Sequence, residues 1–341
     1  MAAAALAHIV ERASSRIASG FVEAVGYTPL IRLKKLSEQT GCDIYGKAEF
    51  QNPGGSVKDR AALGVIQDAE ARASHPSAPP RPLPSGLIAV GAQSQEKIDL
   101  LRMLGAEVHP VPAVAYEHPA NYNHQARDFA AGQANAVWTD QFDNTANARA
   151  HYDTTGPEIW DATRGAVDAF VCATGTGGTL AGTGRFLKEI SGGRTQVWLA
   201  DPPGSVLHSY ITSGGKLKER AGGSITEGIG QGRITDNLAT IVKDVDGALH
   251  IPDEKSIAML YDLLDTEGLY LGASSALNVV AAYELAQKLG PGMFRLSKTI
   301  ATILCDGAYR YQSRLFSKKW LQDKALENAI PEHLKKYAVL D

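Results

Sequence analysis

Cysteine is scarce in this chain. Cys42, Cys172 and Cys305 are the three present, and no two of them form a CxxC pair. An odd, sparse count points to a reducing compartment and gives no zinc signature. No apolar run is long enough to span a bilayer, so no membrane partner is expected. No basic stripe and no acidic tail occurs: 34 Lys and Arg face 37 Asp and Glu, a net charge of −3. Nothing there points to nucleic acid. The histidines form no HxxxH or HExxH pattern, so no metal is expected, and there is no GxSxG elbow. What is present is ordinary globular composition, 44% hydrophobic and 21% charged over 341 residues, enough for one large domain or two of usual size.

Strand-like apolar runs alternate with helical patterns. VDAFVCA (167–173), QVWLA (196–200) and TIATILC (299–305) read as buried strands. TLAGTGRFLKEI (179–190), KSIAMLYDLL (255–264) and SALNVVAAYELAQKLG (275–290) read as helices, the last ending at Gly290. The alternation predicts α/β architecture with parallel strands. The stretch 71–84 holds five of the chain's 16 prolines; it reads as an exposed linker and neither helix nor central strand. Residues 1–20, rich in Ala and Ser with Arg12 and Arg16 against Glu11, read equally as a weak transit peptide or an ordinary helix.

Four segments carry candidate chemistry. In NPGGSVKDRAA (52–62), a turn leads to Ser56 as N-cap, with Asp59 completing a capping-box pattern. Lys58 falls in the first helical turn, where the helix dipole, and burial, would disfavour an ammonium. A neutral lysine forms Schiff bases, although from this segment alone a solvated surface lysine is the simpler reading. In CATGTGGTLAG (172–182), Gly175, Gly177 and Gly178 free backbone N–H groups for an anion, with Thr176 and Thr179 adding hydroxyls at a helix start. This favours a phosphate over a plain tight turn. Leu180 breaks a GxGxxG fingerprint, which argues against a dinucleotide site, and no GK[ST] follows. LYLGASSALNVV (269–280) reads as strand, turn and helix, with Ser274 or Ser275 as cap or ligand hydroxyl. ILCDGAYRY (303–311) ends a strand at Asp306–Gly307. Three of the four segments lie at strand carboxyl ends, where open α/β sheets bind ligands.

In combination these segments resemble the cysteine synthase family, of fungal type, among pyridoxal-phosphate enzymes of the tryptophan-synthase β-like fold. The likeness covers most of 21–70 and 92–341. It rests on TPLIRL, KAEFQNPGGSVKDRAA, QSQEKIDLLRMLGAEV, DQFDNTAN, TTGPEIW, CATGTGGT, ADPPGSVLHSY, SITEGIGQGR, TEGLYLGASSALNVVAA and ILCDGAYRY. The resemblance implies a two-domain fold type II enzyme binding pyridoxal 5'-phosphate. It implies a large domain of 1–44 plus 151–341, a small domain of 45–150, and a homodimer, mitochondrial or cytoplasmic. It implies Lys58 as the Schiff-base lysine and Gly175, Thr176, Gly177, Gly178 and Thr179 as the phosphate loop. Ser274 would face the pyridine nitrogen, a neutral partner suited to β-elimination. Gln141 would lie near the substrate carboxylate and Gly228 in the active-site turn. The implied reaction is β-replacement, from O-acetyl-L-serine and sulfide to L-cysteine and acetate, with Lys58 as general base at Cα. Two rival readings are a non-catalytic paralogue with a binding or regulatory role, and cystathionine β-synthase-like chemistry.

Three departures accompany the resemblance. The family's TSGNTG-type loop, with its helix and strand, is missing around 71–91, which implies a truncated small domain and weaker hold on the substrate carboxylate. Tyr27 stands where the family has Asn, and MFRLSK (293–298) reads as a short insertion.

Overall fold

The computed structural model describes residues 18–73, 86–90, 95–112, 114–133, 136–218, 222–291 and 297–341. Two sheets organise it. The larger has strand order β1–β2–β8–β5–β6–β7, with β1 Leu30–Arg32, β2 Asp43–Ala48, β5 Ala169–Ala173, β6 Gln196–Asp201, β7 Gly247–His250 and β8 Thr299–Leu304. β1 pairs with β2 antiparallel; the other pairings are parallel. The expected strands at 167–173, 196–200 and 299–305 are thus β5, β6 and β8. The smaller sheet holds β3 Gly86–Val90 and β4 Glu107–Val111, parallel and joined through the helix Gln95–Met103. Among the described residues it has these two strands.

The central strands are apolar throughout because both faces are covered. The helix Ala273–Leu289 lies on one face, its Leu277, Val280 and Leu285 packed with Ile44, Val171 and Ile300. The helix Gly178–Ile190 covers the other, with Leu180, Phe186 and Leu187 against Phe170, Leu199 and Ile303. Each such side chain, fully buried, contributes about 1.5–3 kcal/mol. A third cluster joins the helix Asp253–Glu267 to the C-terminal segments through Ile257, Leu260, Tyr261, Leu315 and Leu334. No helix among the described residues is long and apolar enough to cross a membrane.

Four sequence expectations need adjustment. The lysine-bearing helix runs Lys58–Ala73, three residues into the proline-rich stretch, because its first proline is Pro76 and the helix stops before it. LYLG is no named strand; Leu271 makes one isolated antiparallel bridge to Gly307. The chain there crosses the end of β8 instead of running beside it. Neither Ser274 nor Ser275 caps the following helix. Gly272 is the N-cap, and Ser275 Oγ donates to the Asp306 carbonyl at 3.0 Å. Last, β2 straddles residue 44, so residues 45–48 lie in the larger sheet. Residues 1–17, most of the proline-rich stretch and 293–296 lie outside the described residues. Tyr27 has φ 49°, in the left-handed region that Asn accepts more readily than Tyr.

Candidate active site

Lys58 opens its helix at the carboxyl end of β8. Ser56 bridges Asp306, and the Val57 N–H donates to the Cys305 carbonyl at 2.8 Å. Ser56 Oγ accepts from the Lys58 N–H at 3.3 Å. The Asp59 carboxylate takes the Gly54 N–H and the Ser56 hydroxyl, so the expected capping box closes on Gly54 instead of on the cap residue's own N–H. Lys58 itself is exposed, so the burial part of the sequence argument does not hold. Two residues on, Arg60 is buried and ion-paired with Glu49 at 2.8 Å and Glu158 at 2.7 Å. Lys47 reaches Glu158 at 2.6 Å. Burial alone would raise Glu158, but Arg60 and Lys47 together hold it down at about 2. Two cations and two carboxylates thus clamp the Lys58 helix to β2 and to the helix Thr155–Ala162.

The glycine–threonine loop follows β5. Gly177 has φ 86°, open to glycine at no steric cost. A Cβ on Gly175 would lie 1.9 Å from the Gly228 carbonyl oxygen, and one on Gly178 2.1 Å from Asn147 Oδ1. Side chains are therefore excluded and the backbone lies bare at the helix start. Asn147 Nδ2 donates to Thr176 Oγ1 at 2.9 Å and to the Gln141 carbonyl at 2.8 Å. Thr235 Oγ1 donates to the Thr176 carbonyl at 2.7 Å. Thr179 Oγ1 lies 3.2 Å from His151 Nε2. Burial, helped by the Arg60 charge, pushes His151 down to about 4, so its ring is neutral near pH 7. The first-turn N–H groups of the 13-residue helix Gly178–Ile190 have no intrahelical carbonyl to bond.

Gly228 joins the two halves. With φ 77°, it touches the loop at Gly175, and a Cβ there would lie 3.6 Å from Lys58 Nζ. Ser274 is nearly buried and lines a cavity of about 10 Å³ with Glu227, Tyr311 and Arg314. Its hydroxyl also bonds Cys305, whose thiol burial and Asp306 push up to about 12; that sulfur is no nucleophile at neutral pH. Gln141 is exposed, and it is its backbone carbonyl that meets the loop, through Asn147 and Asn237. The structure thus brings Lys58, Gly228, the 175–179 loop and Gln141 to one edge of the larger sheet, with Ser274 at the end of β8.

Sequence reasoning missed Asn147, His151, Thr235, Lys97, Glu227 and Arg314. Asn147 closes the DQFDNTAN motif, a local signal. The others act through partners tens of residues away, which no local spacing reveals.

An anion end and an amine fit this edge. The bare backbone of 175–179 at a helix N-terminus has the chemistry to hold a phosphate, and the exposed Lys58 amine that to react with an aldehyde. Asn147 Oδ1 and Asp306 Oδ1 are buried without hydrogen-bond partners at the two ends of this site. Comparison with known proteins agrees. The pyridoxal-phosphate dependent enzyme family matches residues 22–80 and 84–306. Cysteine synthase 1 of Neurospora crassa is 63% identical, over 95% of this chain and 90% of that protein. Cysteine synthase 1 of Emericella nidulans is 62% identical, over 94% and 91%. Among solved structures, a hydrogen sulfide-producing enzyme from Fusobacterium nucleatum superposes with TM-score 0.74 at 25% identity, covering 86% of this chain and 100% of that one. With more than half its length matched and the lysine and anion cradle in place, the chain belongs to the pyridoxal-phosphate-dependent enzymes.

Proposed function

We propose that this enzyme makes L-cysteine by β-replacement, taking O-acetyl-L-serine and sulfide to L-cysteine and acetate. The observation that carries the reading is the position of Gly228, whose carbonyl packs on Gly175 and whose Cβ position would lie 3.6 Å from Lys58 Nζ, which sets the amine beside the glycine–threonine loop. Residues 175–179 would hold the cofactor phosphate by backbone N–H groups and the Thr176 and Thr179 hydroxyls. Lys58 would hold the cofactor covalently, then take the proton from substrate Cα as acetate departs and return it as sulfide adds. Bound pyridoxal phosphate supplies the electron sink for charge at Cα. Ser274 would set a neutral hydroxyl at the pyridine nitrogen, and Gln141 with the Gly228 turn would orient the substrate carboxylate. The two sheets support a two-lobe division near the limits 1–44 with 151–341, and 45–150, with β2 carried in the first lobe. We propose a homodimer, and a mitochondrial or cytoplasmic location.

Lys58→Ala tests the assignment. Borohydride should fix the cofactor to the peptide holding Lys58 in the parent protein and to none in the variant. Cysteine formation should fall 10²-fold or more, the usual weight of a positioned acid–base group. A labelled peptide elsewhere, or unchanged turnover, defeats the reading.

A further inference from the structure

The cavity beside Ser274, about 10 Å³, has room for a single water at most. No aromatic ring enters it as it stands. Its walls include Glu227 and Tyr311, and both are engaged by one side chain of the smaller lobe. Lys97 Nζ lies 2.7 Å from Glu227 Oε2 and 4.4 Å from the centre of the Tyr311 ring. Lys97 sits in the first turn of the helix Gln95–Met103. Its neighbour Glu96 accepts the Ser313 hydroxyl at 2.7 Å, and Glu96 Oε2 is buried without a hydrogen-bond partner. From the other side, Arg314 Nη1 bonds the second oxygen of Glu227. Tyr311 in turn donates to Asp306 Oδ2 at 2.6 Å.

Building on the proposed role of Ser274, we infer that the Lys97–Glu227 contact is a latch, tying the first turn of the Gln95–Met103 helix to two wall residues of the Ser274 pocket, and that it opens when the cofactor ring seats. Three features support it. Glu227 immediately precedes Gly228, so a shift of Glu227 moves the turn that packs on Gly175 and lies beside Lys58. The contacts of Glu96 and Lys97 with Ser313, Glu227 and Tyr311 are all between side chains, so they break without disrupting backbone bonds of either lobe. Burial, with Lys58 nearby, weakens the charged form of Lys97 against the pull of Glu227; movement of the ammonium out to solvent removes that burial cost.

Lys97→Met keeps length and apolar stem while removing the charge. Hydrogen exchange on the cofactor-free protein reads the latch directly. Amides of 96–103 should exchange at least ten times faster in the variant, with those of the helix 178–190 unchanged. Cofactor association, followed by absorbance, should be several-fold faster in the variant. Glu227→Gln should act in the same direction. Unchanged exchange in 96–103 overturns the latch. So does an unchanged association rate with the cofactor fixed on Lys58 in both proteins, a result that leaves the functional reading standing. If borohydride fixes cofactor on Lys58 in neither protein, the functional reading falls, and the gating role falls with it.

Discussion

Two clusters of charge flank the candidate site, and they are built differently. Lys47, Glu49, Arg60 and Glu158 are at most 8% exposed, pair two cations with two carboxylates, and take further bonds from Thr28 and Asn52. Glu96, Lys97, Glu227 and Arg314 are partly exposed, with Arg314 30% open at its side chain, and they tie separate lobes together. The first cluster is costly to break, because any member left alone is a buried charge. The second is less deeply buried, and Glu227 keeps Arg314 as a partner when Lys97 lets go, so it costs less to break than the first. The difference separates a fixed support from a movable one: the Lys58 helix is welded, while the lobe facing it is held by side chains that let go.

Breaking the first cluster should give the largest effect. Arg60→Met leaves Glu49 and Glu158 facing each other, with Lys47 as sole cation. Loss of one partner of a buried pair costs about 3–5 kcal/mol, readable as a lower urea midpoint. A loss below about 1 kcal/mol means that water enters and rescues the carboxylates. Acid should act next. Glu158 is held at about 2, against an ordinary value near 4.5. A depressed carboxylate stabilises the fold fully above its unfolded value and loses that contribution as pH falls from about 4.5 towards 2. The contribution is roughly 3 kcal/mol. Unfolding free energy should therefore drop through that window, and Glu158→Gln should flatten the drop. An equally steep drop in the variant places the acid sensitivity elsewhere. A smaller change sharpens the contrast without removing a charge. Tyr27 donates its N–H to Glu158 Oε1 at 3.1 Å from a left-handed backbone. Tyr27→Asn should relieve about 1 kcal/mol of strain and raise the melting temperature by a few degrees. No rise means that the 41%-exposed ring earns back its strain by packing. Lys97→Met should shift the urea midpoint least of these variants, because Glu227 keeps Arg314 as its cation.

How far the sequence revealed this arrangement depends on the reach of each contact. β5, β6 and β8 were legible because strands covered on both faces are apolar without interruption. The bare turn at 175–178 was legible because glycines must cluster where side chains cannot fit. LYLG was misleading: apolar residues before a glycine look like a strand, yet the Gly272 N–H goes to the Asp306 carbonyl, and the segment turns across the sheet end. Ser274 and Ser275 looked like caps because serine commonly caps, whereas Gly272 already supplies the extended N-cap conformation. Lys97 looked like any lysine on a polar helix. Its partner lies 130 residues away, and no periodicity encodes a contact of that range. The exposure of Lys58 matches the solvated-lysine reading of its own segment, whereas the burial argument for a neutral amine does not hold.

The pairing of β2 with β8, Asp43 against Thr299 and Ala48 against Leu304, has a consequence for the order in which the molecule is made. On the ribosome, at about 5–20 residues per second, β8 emerges on the order of tens of seconds after β2. The β1–β2 pair can form at once from Leu30 to Lys47, but its inner edge stays open for that whole interval. The lysine-bearing helix waits as well, because Ser56 and Val57 dock on Asp306 and Cys305. The lysine-bearing segment that is synthesised first is therefore finished last, and a nascent chain halted before residue 299 should hold the glycine–threonine loop in folded form and the Lys58 helix undocked.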